Sequence, residues 1–167
     1  MKRDIAQLSE AINHYLKSSG KTLSTAESCT SGQIAMSITA EPGSSAYFKG
    51  GVVCYCNEIK TKILGVPSQI LESKGAVSLE VVKAMVQGVI KTMDTTYAVA
   101  VTGYAGPGGG KEAPVGTIWI AVGSVNDCFV AKQEIDEGRE KNLQRATKKA
   151  LEMLLDLVKK HDTTIVK

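Results

Sequence analysis

The stretch Thr25–Gly32, TAESCTSG, sets hydroxyl and thiol side chains in a row just ahead of a helix-like run. Ser28 stands where a strand would meet that helix. Backbone N–H groups of Cys29, Thr30 and Ser31 would be unpaired there and would point at whatever sits at the helix start. Such donors suit a developing oxyanion. Plain capping by Ser28, Thr30 or Ser31 accounts for the same composition. The motif alone leaves both uses open.

A serine nucleophile needs a base. The chain has two histidines. His14 falls in an amphipathic N-terminal helix and His161 in a polar tail, so both read as surface residues. A Ser-His-Asp triad is therefore hard to build, and Cys29 as nucleophile lacks the same partner. Lysine is the usual substitute, but at its ordinary pKa of about 10.4 it stays charged at pH 7. Burial and nearby positive potential lower that value. Lys60 is placed for both: with Asn57 as N-cap it lies in the first turn of a helix, directly after an apolar strand. The helix dipole contributes only about 0.3–1 kcal/mol at an exposed site, so desolvation must supply the rest. A solvated lysine is the alternative. Lys62 would point to another side of the same helix.

The loop TGYAGPGGGKEAPVG carries glycines from Gly103 to Gly110, including Gly106, whose backbone amides could approach a phosphate. It lacks the GK[ST] ending of a Walker loop and leads to a strand, so it is no dinucleotide fingerprint either. A flexible connection fits the composition equally well. Arg139, in EGREKN, has the chemistry of a phosphate clamp. Cys54 and Cys56 lack the spacing and companions of a zinc site. With Cys29 and Cys128 they read as free thiols, and no metal is expected.

These residues need a frame. Ile5, Leu8, Ile12 and Leu16 recur at helical spacing, giving a helix over 3–18 that ends near Gly20. KTLSTAE reads as a short strand, followed by a helix of about ten residues through Ile34 and Ile38. YFKGGVVCYC suits a buried strand. EIKTKIL is a short helix stopped by Gly65 and Pro67. Ser78 caps the next helix, whose Val82, Met85, Val86, Val89, Ile90 and Met93 form a wide apolar face. YAVAVTG, GTIWIAVG and CFVAKQEI are three further strands. A final helix from about Glu140 to Lys160 turns Leu143, Ala146, Ala150, Leu154 and Leu157 inward. Early strands alternate with helices and later ones follow through loops. That order predicts an α/β sandwich with a mixed sheet.

Composition bounds the rest. With 167 residues, 43% hydrophobic and 22% charged, the chain fits one globular domain, 1–167. A net charge of +3, scattered basic residues and 5% aromatics argue against nucleic-acid binding. The cluster Lys148, Lys149, Lys159 and Lys160 reads as a solvated helix face. The start MKRDIAQLSE has no apolar core behind its basic residues, and no run reaches the roughly 18 apolar residues of a membrane span. A cytoplasmic protein is expected. Apolar helix faces and sheet edges leave room for a homodimer.

AESCTSG, GSSAYFKGGVVCYCNEIK, GAVS, VTGYAGPGGG, PVGTIWIAV and GR before the last helix resemble, in order and spacing, the CinA C-terminal domain or nicotinamide-nucleotide amidase family. The resemblance runs over about residues 5–160. It implies a three-layer α/β/α sandwich with a mixed, mostly parallel five-stranded sheet, in the stand-alone form of the family. It also implies hydrolysis of nicotinamide mononucleotide (NMN) to nicotinate mononucleotide and ammonia, in pyridine nucleotide recycling, without a cofactor. The family serine matches Ser28, its lysine base Lys60 and its tyrosine Tyr55. Ser45, Thr102 and Arg139 match residues that line the family's pocket. Three positions depart from the family pattern: Ser31 replaces a glycine, Gly138 an acidic residue, and Leu143 a second arginine.

The resulting expectation is acyl transfer in two steps, with Cys29–Ser31 amides and Thr102 at the oxyanion. Tyr55 relays a proton or holds Lys60. Cys29, Thr30, Ser45, Thr102, Gly103, Gly106 and Arg139 are expected to bind substrate. The alternatives are a non-catalytic nucleotide-binding module, an amidase for another small amide, and, from the family name only, a structural partner in DNA uptake or damage responses.

Overall fold

The computed structural model describes residues 4–162. The expected helix start at residue 3 and the domain ends at 1 and 167 lie outside them. The first helix, α1 (Ile5–Ser19), opens on a capping box in which Asp4 accepts the Gln7 N–H, and it stops at Gly20 in the left-handed conformation. Strand β1 (Leu23–Glu27) leads through a turn to α2 (Gln33–Thr39), shorter and later than the expected ten residues. A short 3₁₀ turn (Ser44–Ala46) enters β2 (Phe48–Val53).

Helix α3 (Asn57–Leu64) is N-capped by Cys56 and not by Asn57, with no side-chain capping bond. Gly65 ends it as expected, but Pro67 begins another helix, α4 (Ser68–Lys74). Proline fits that position because a helix start has no use for its missing N–H. Helix α5 (Leu79–Met93) follows, its Ser78 cap accepting the Val81 N–H. Then come β3 (Tyr97–Gly103), β4 (Thr117–Gly123), β5 (Cys128–Glu134) and the long α6 (Arg139–Asp162).

The strand order is β2-β1-β3-β4-β5. β1 pairs in parallel with β2 and β3, while β3–β4 and β4–β5 are antiparallel. Four strands thus run one way and β4 alone is reversed, so the sheet is mostly parallel by direction although its ladders divide evenly. Each parallel pair is bridged by helices, and each antiparallel pair by a loop, as the geometry of crossovers requires. β1 and β3 are central and buried almost throughout. β2 is an edge strand whose residues alternate between half-buried and exposed, contrary to the buried strand expected from its apolar composition.

Two cores sandwich the sheet. On one face α1, α2 and α6 pack Leu8, Ile12, Leu16, Ile34, Ile38 and Leu154 against Val99, Val101 and Ile120. On the other, Leu64, Leu71, Val82, Met85, Val86 and Val89 of α3, α4 and α5 cover Ala26, Ala98 and Ala100. All five residues expected to face inward from α6 are buried. The approach of α3 to α5 is set at Gly88, where a Cβ would lie 2.0 Å from the Leu64 carbonyl oxygen. A side chain there would lift α3, and with it Lys60, off the core.

Candidate active site

At the carboxyl ends of β1, β2 and β3 lies a cleft of about 230 Å³ lined by Ser28, Cys29, Lys60, Thr102, Gly106 and Arg139, with Tyr55, Asn57, Gly103 and Tyr104 among its other walls. Ligands of open α/β sheets gather at this end, outside the strand termini. The chain reaches Ser28 directly from β1. The Ser28 N–H donates to Val101 O (3.0 Å), and the Glu27 carbonyl accepts the Cys54 N–H (2.9 Å), so the nucleophile candidate is stitched to both neighbouring strands.

Lys60 is 2% exposed. Its Nζ lies 3.1 Å from Ser28 Oγ and donates to the Cys54 carbonyl at 2.8 Å. No carboxylate offsets its charge: among the described residues no ion pair includes it. Burial pushes its pKa below the ordinary lysine range, against weaker opposing contributions from Cys54, Cys56 and Cys29. A neutral amine in that place can keep one N–H on Cys54 O and turn its lone pair to the serine hydroxyl. Cys29, one residue on, is buried, and its thiol is pushed up to about 12, chiefly by desolvation. It stays a thiol near neutrality and is a poor rival to Ser28.

The turn after Ser28 differs from the helix start expected there. Ser31 N–H returns to Ser28 O at 3.1 Å, and Ser31 and Gly32 take left-handed φ values of 51° and 98°. Ser31 is exposed and its side chain clears the cleft. The α2 amides are occupied by a residue that sequence reasoning passed over. The buried Glu27 carboxylate accepts Gly32 N–H (3.0 Å) and Ile34 N–H (3.1 Å) on Oε2, and Ala35 N–H (2.9 Å) on Oε1. The N–H groups of Cys29 and Thr30 donate to no oxygen among the described residues. Of the two, only Cys29 lines the cleft, Thr30 being fully buried, so the Cys29 amide is the one that can meet an oxyanion.

Other expected residues divide. Thr102 lines the cleft, but its hydroxyl donates to Ala76 O at 2.8 Å, so it fastens the loop before α5 and is spent as an oxyanion donor. Tyr55 is 60% exposed, and its hydroxyl accepts from Arg139 Nη2 at 3.2 Å; it is not bonded to Lys60, whose anchor is Cys54 O. Arg139 Nη1 donates to Gly106 O at 2.8 Å, bringing the two suspected phosphate elements together. Thr30 is buried behind the cleft with an unpaired hydroxyl. Ser45 is exposed in the 3₁₀ turn before β2, at the opposite end of the sheet, because a parallel strand carries its entry and exit to opposite edges. It does not reach this cleft.

The glycine loop is held in place and does not hang free. Tyr104 O–H donates to Glu112 Oε1 at 2.6 Å, and Gly110 N–H to Ala113 O at 3.1 Å. Behind it, the buried Asn142 donates to Ala105 O and Asp136 Oδ1 and accepts the Glu137 N–H, tying this loop to the one before α6. Gly138 adopts φ 89°, and its N–H is taken by Asp136 Oδ1, so an acid still serves the α6 start from two residues earlier. Leu143 is 7% exposed and packs into the core, where an arginine would have no water. His161 is not a free surface residue: it bonds Tyr97 and Asp127 at the far end of the sheet. All four cysteines are free. Among the described residues no group of three or more His, Cys, Asp or Glu could hold a metal ion. No described helix is long and apolar enough to cross a membrane.

A family model described as CinA C-terminal domain matches residues 5–158. Nicotinamide-nucleotide amidohydrolase PncC of Pseudomonas putida is 44% identical over 154 residues, covering 92% of this chain and 96% of that protein. PncC of Escherichia coli K12 is 42% identical over 153 residues, covering 90% and 93%. A CinA-like protein of Amoebophilus asiaticus is 44% identical over 148 residues, but the match spans 36% of its length. The crystal structure of competence/damage inducible protein CihA from Agrobacterium tumefaciens superposes with a TM-score of 0.89 at 39% identity, covering 93% of this chain and 96% of that one. Sequence order, layered fold and near-complete coverage agree, and the chain belongs to the CinA C-terminal domain family.

Proposed function

We propose that this protein hydrolyses the carboxamide of NMN to nicotinate mononucleotide and ammonia, with Ser28 as nucleophile and Lys60 as base. The observation that carries the reading is the buried amine 3.1 Å from Ser28 Oγ. Neutral Lys60 takes the hydroxyl proton as Oγ bonds to the amide carbon. The Cys29 amide faces the oxygen that gains charge. Collapse breaks the C–N bond, and the proton on Lys60 passes to the departing nitrogen, which leaves as ammonia. Water then attacks the acyl ester, giving its proton to Lys60 and restoring Ser28. Arg139, with Gly106, receives the phosphate, and Tyr55 orients the guanidinium at the rim. The nucleophile belongs to the protein, so the reaction needs no cofactor. Pyridine nucleotide recycling in the cytoplasm and a homodimeric state belong to the same reading.

The test is ammonia release from NMN by Ser28→Ala and Lys60→Ala at matched folding. Each loses on the order of 10³-fold or more, the scale expected when a nucleophile or its base is removed. Near-parent rates in either variant defeat the dyad. Because Lys60 works only when neutral and its pKa is lowered from 10.5, kcat/KM rises as pH climbs through that lowered value and then levels.

The cleft size favours a second reading, an amidase for a smaller amide. Its 230 Å³ falls below the roughly 300–1,000 Å³ of common ligand pockets. Ammonia release from NMN, nicotinamide riboside, NAD and free nicotinamide separates the two, and tight NMN binding without ammonia selects a binding module.

A further inference from the structure

Glu27 is a carboxylate 1% exposed, with no ion-pair partner among the described residues. Burying such a group is costly unless hydrogen bonds replace the lost water. Here three backbone amides do so, all from residues 32–35. The same residue's carbonyl accepts from Cys54 N–H at 2.9 Å, and Cys54 in turn offers its own carbonyl to Lys60 Nζ. Ser28 follows Glu27 in the chain. One residue therefore grips the turn that carries the nucleophile and the strand end that anchors the base.

The carboxylate also decides which amides remain open. By occupying Gly32, Ile34 and Ala35 it leaves the N–H groups of Cys29 and Thr30 as the unengaged donors beside Ser28. The intervening turn holds Ser31 at φ 51°, a conformation that side-chain-bearing residues adopt at a cost. Something must hold it there, and the Glu27 side chain closes the loop from 27 to 35.

We propose that Glu27 is the positioning residue of this site: its buried carboxylate, bonded to the Gly32, Ile34 and Ala35 amides, sets Ser28 against Lys60 and aims the Cys29 amide at the oxyanion. This rests on the Ser28–Lys60 reading above. A glutamine has one acceptor oxygen and turns an NH₂ group toward a remaining amide donor, so it cannot replace the carboxylate. An aspartate keeps the charge but is one methylene too short to reach all three.

The experiment compares parent, Glu27→Gln and Glu27→Asp at a temperature where circular dichroism shows each fully folded, using two readouts. The first is steady-state ammonia release from NMN. Both variants lose at least about tenfold in kcat, within the range for a misplaced oxyanion donor, while KM stays within about twofold. The second is the rate of covalent labelling of Ser28 by a fluorophosphonate, read by intact mass with Ser28→Ala as blank. It needs no NMN, and both variants label at least about tenfold more slowly. A folded variant that labels and turns over within twofold of the parent overturns the proposal and assigns Glu27 a purely structural role. A parent that labels but releases no ammonia defeats the NMN reading and leaves the labelling comparison to judge Glu27. A parent inert in both overturns the two together.

Discussion

The two ends of the sheet bury polar groups in different ways. At the amino ends of β1 and β3, Ser24 and Thr95 hydroxyls meet at 2.6 Å, and Thr22 and Thr96 exchange backbone and side-chain bonds. There Tyr97 O–H lies 2.9 Å from His161 Nδ1, while His161 Nε2 lies 2.8 Å from Asp127 Oδ2. Each group is matched by another, and the network closes α6 onto the sheet. At the carboxyl ends, two amides beside Ser28 stay open, a left-handed serine sits in the turn, and a lysine is buried with no carboxylate to match it. A histidine bonded on both sides serves the fold. An amine deprived of water and counter-ion is left free to take a proton.

That contrast can be broken most directly at Lys60. Lys60→Met abolishes ammonia release, and its stability relative to the parent depends on pH. The parent's lysine has a depressed folded-state pKa, so between that value and 10.5 the unfolded chain binds more protons and the parent gains stability as pH rises. Methionine has no such dependence, so the variant's relative stability is greatest at low pH and falls toward pH 10.5. Denaturant melts across pH read this, and a flat difference shows that Lys60 is not desolvated.

Arg139→Ala raises KM for NMN about tenfold to a hundredfold, the value of a charge-assisted hydrogen bond of about 1.5–3 kcal/mol, and leaves nicotinamide riboside unaffected. Equal losses on both substrates place the guanidinium elsewhere than on the phosphate. At the opposite end, His161→Ala costs about 1–2 kcal/mol because Tyr97 and Asp127 lose their partner. Its kcat on NMN stays at the parent value below the melting range; a specific loss of turnover would erase the contrast between the two ends. Ser31→Gly, at φ 51°, has the smallest effect, a stability gain of under about 1 kcal/mol in thermal melts with activity unchanged.

Periodicity carried the elements well. Apolar positions in Ile5–Ser19, Leu79–Met93 and Arg139–Asp162 recur at helical spacing because each helix has one face against the sheet. Strand order is non-local, so the edge position of β2 left no mark on its apolar sequence. Seven residues behind a proline hid α4. The approach of Lys60 to Ser28 was legible through the scarcity of histidine and through family resemblance, since no spacing rule joins the residue after β1 to one on α3. Glu27 was not, because its partners are amides that exist only once the turn has formed. Ser45 carried a family expectation that this cleft does not meet, since the chain enters β2 at one end of the sheet and leaves at the other.

The bare edge of β2 has a mechanical consequence. Its outward row of main-chain groups runs straight into Cys54, the residue whose carbonyl tethers the buried Lys60 amine. Any strand zipping onto that border would stiffen the tether from behind, so self-association and turnover would draw on one stretch of backbone.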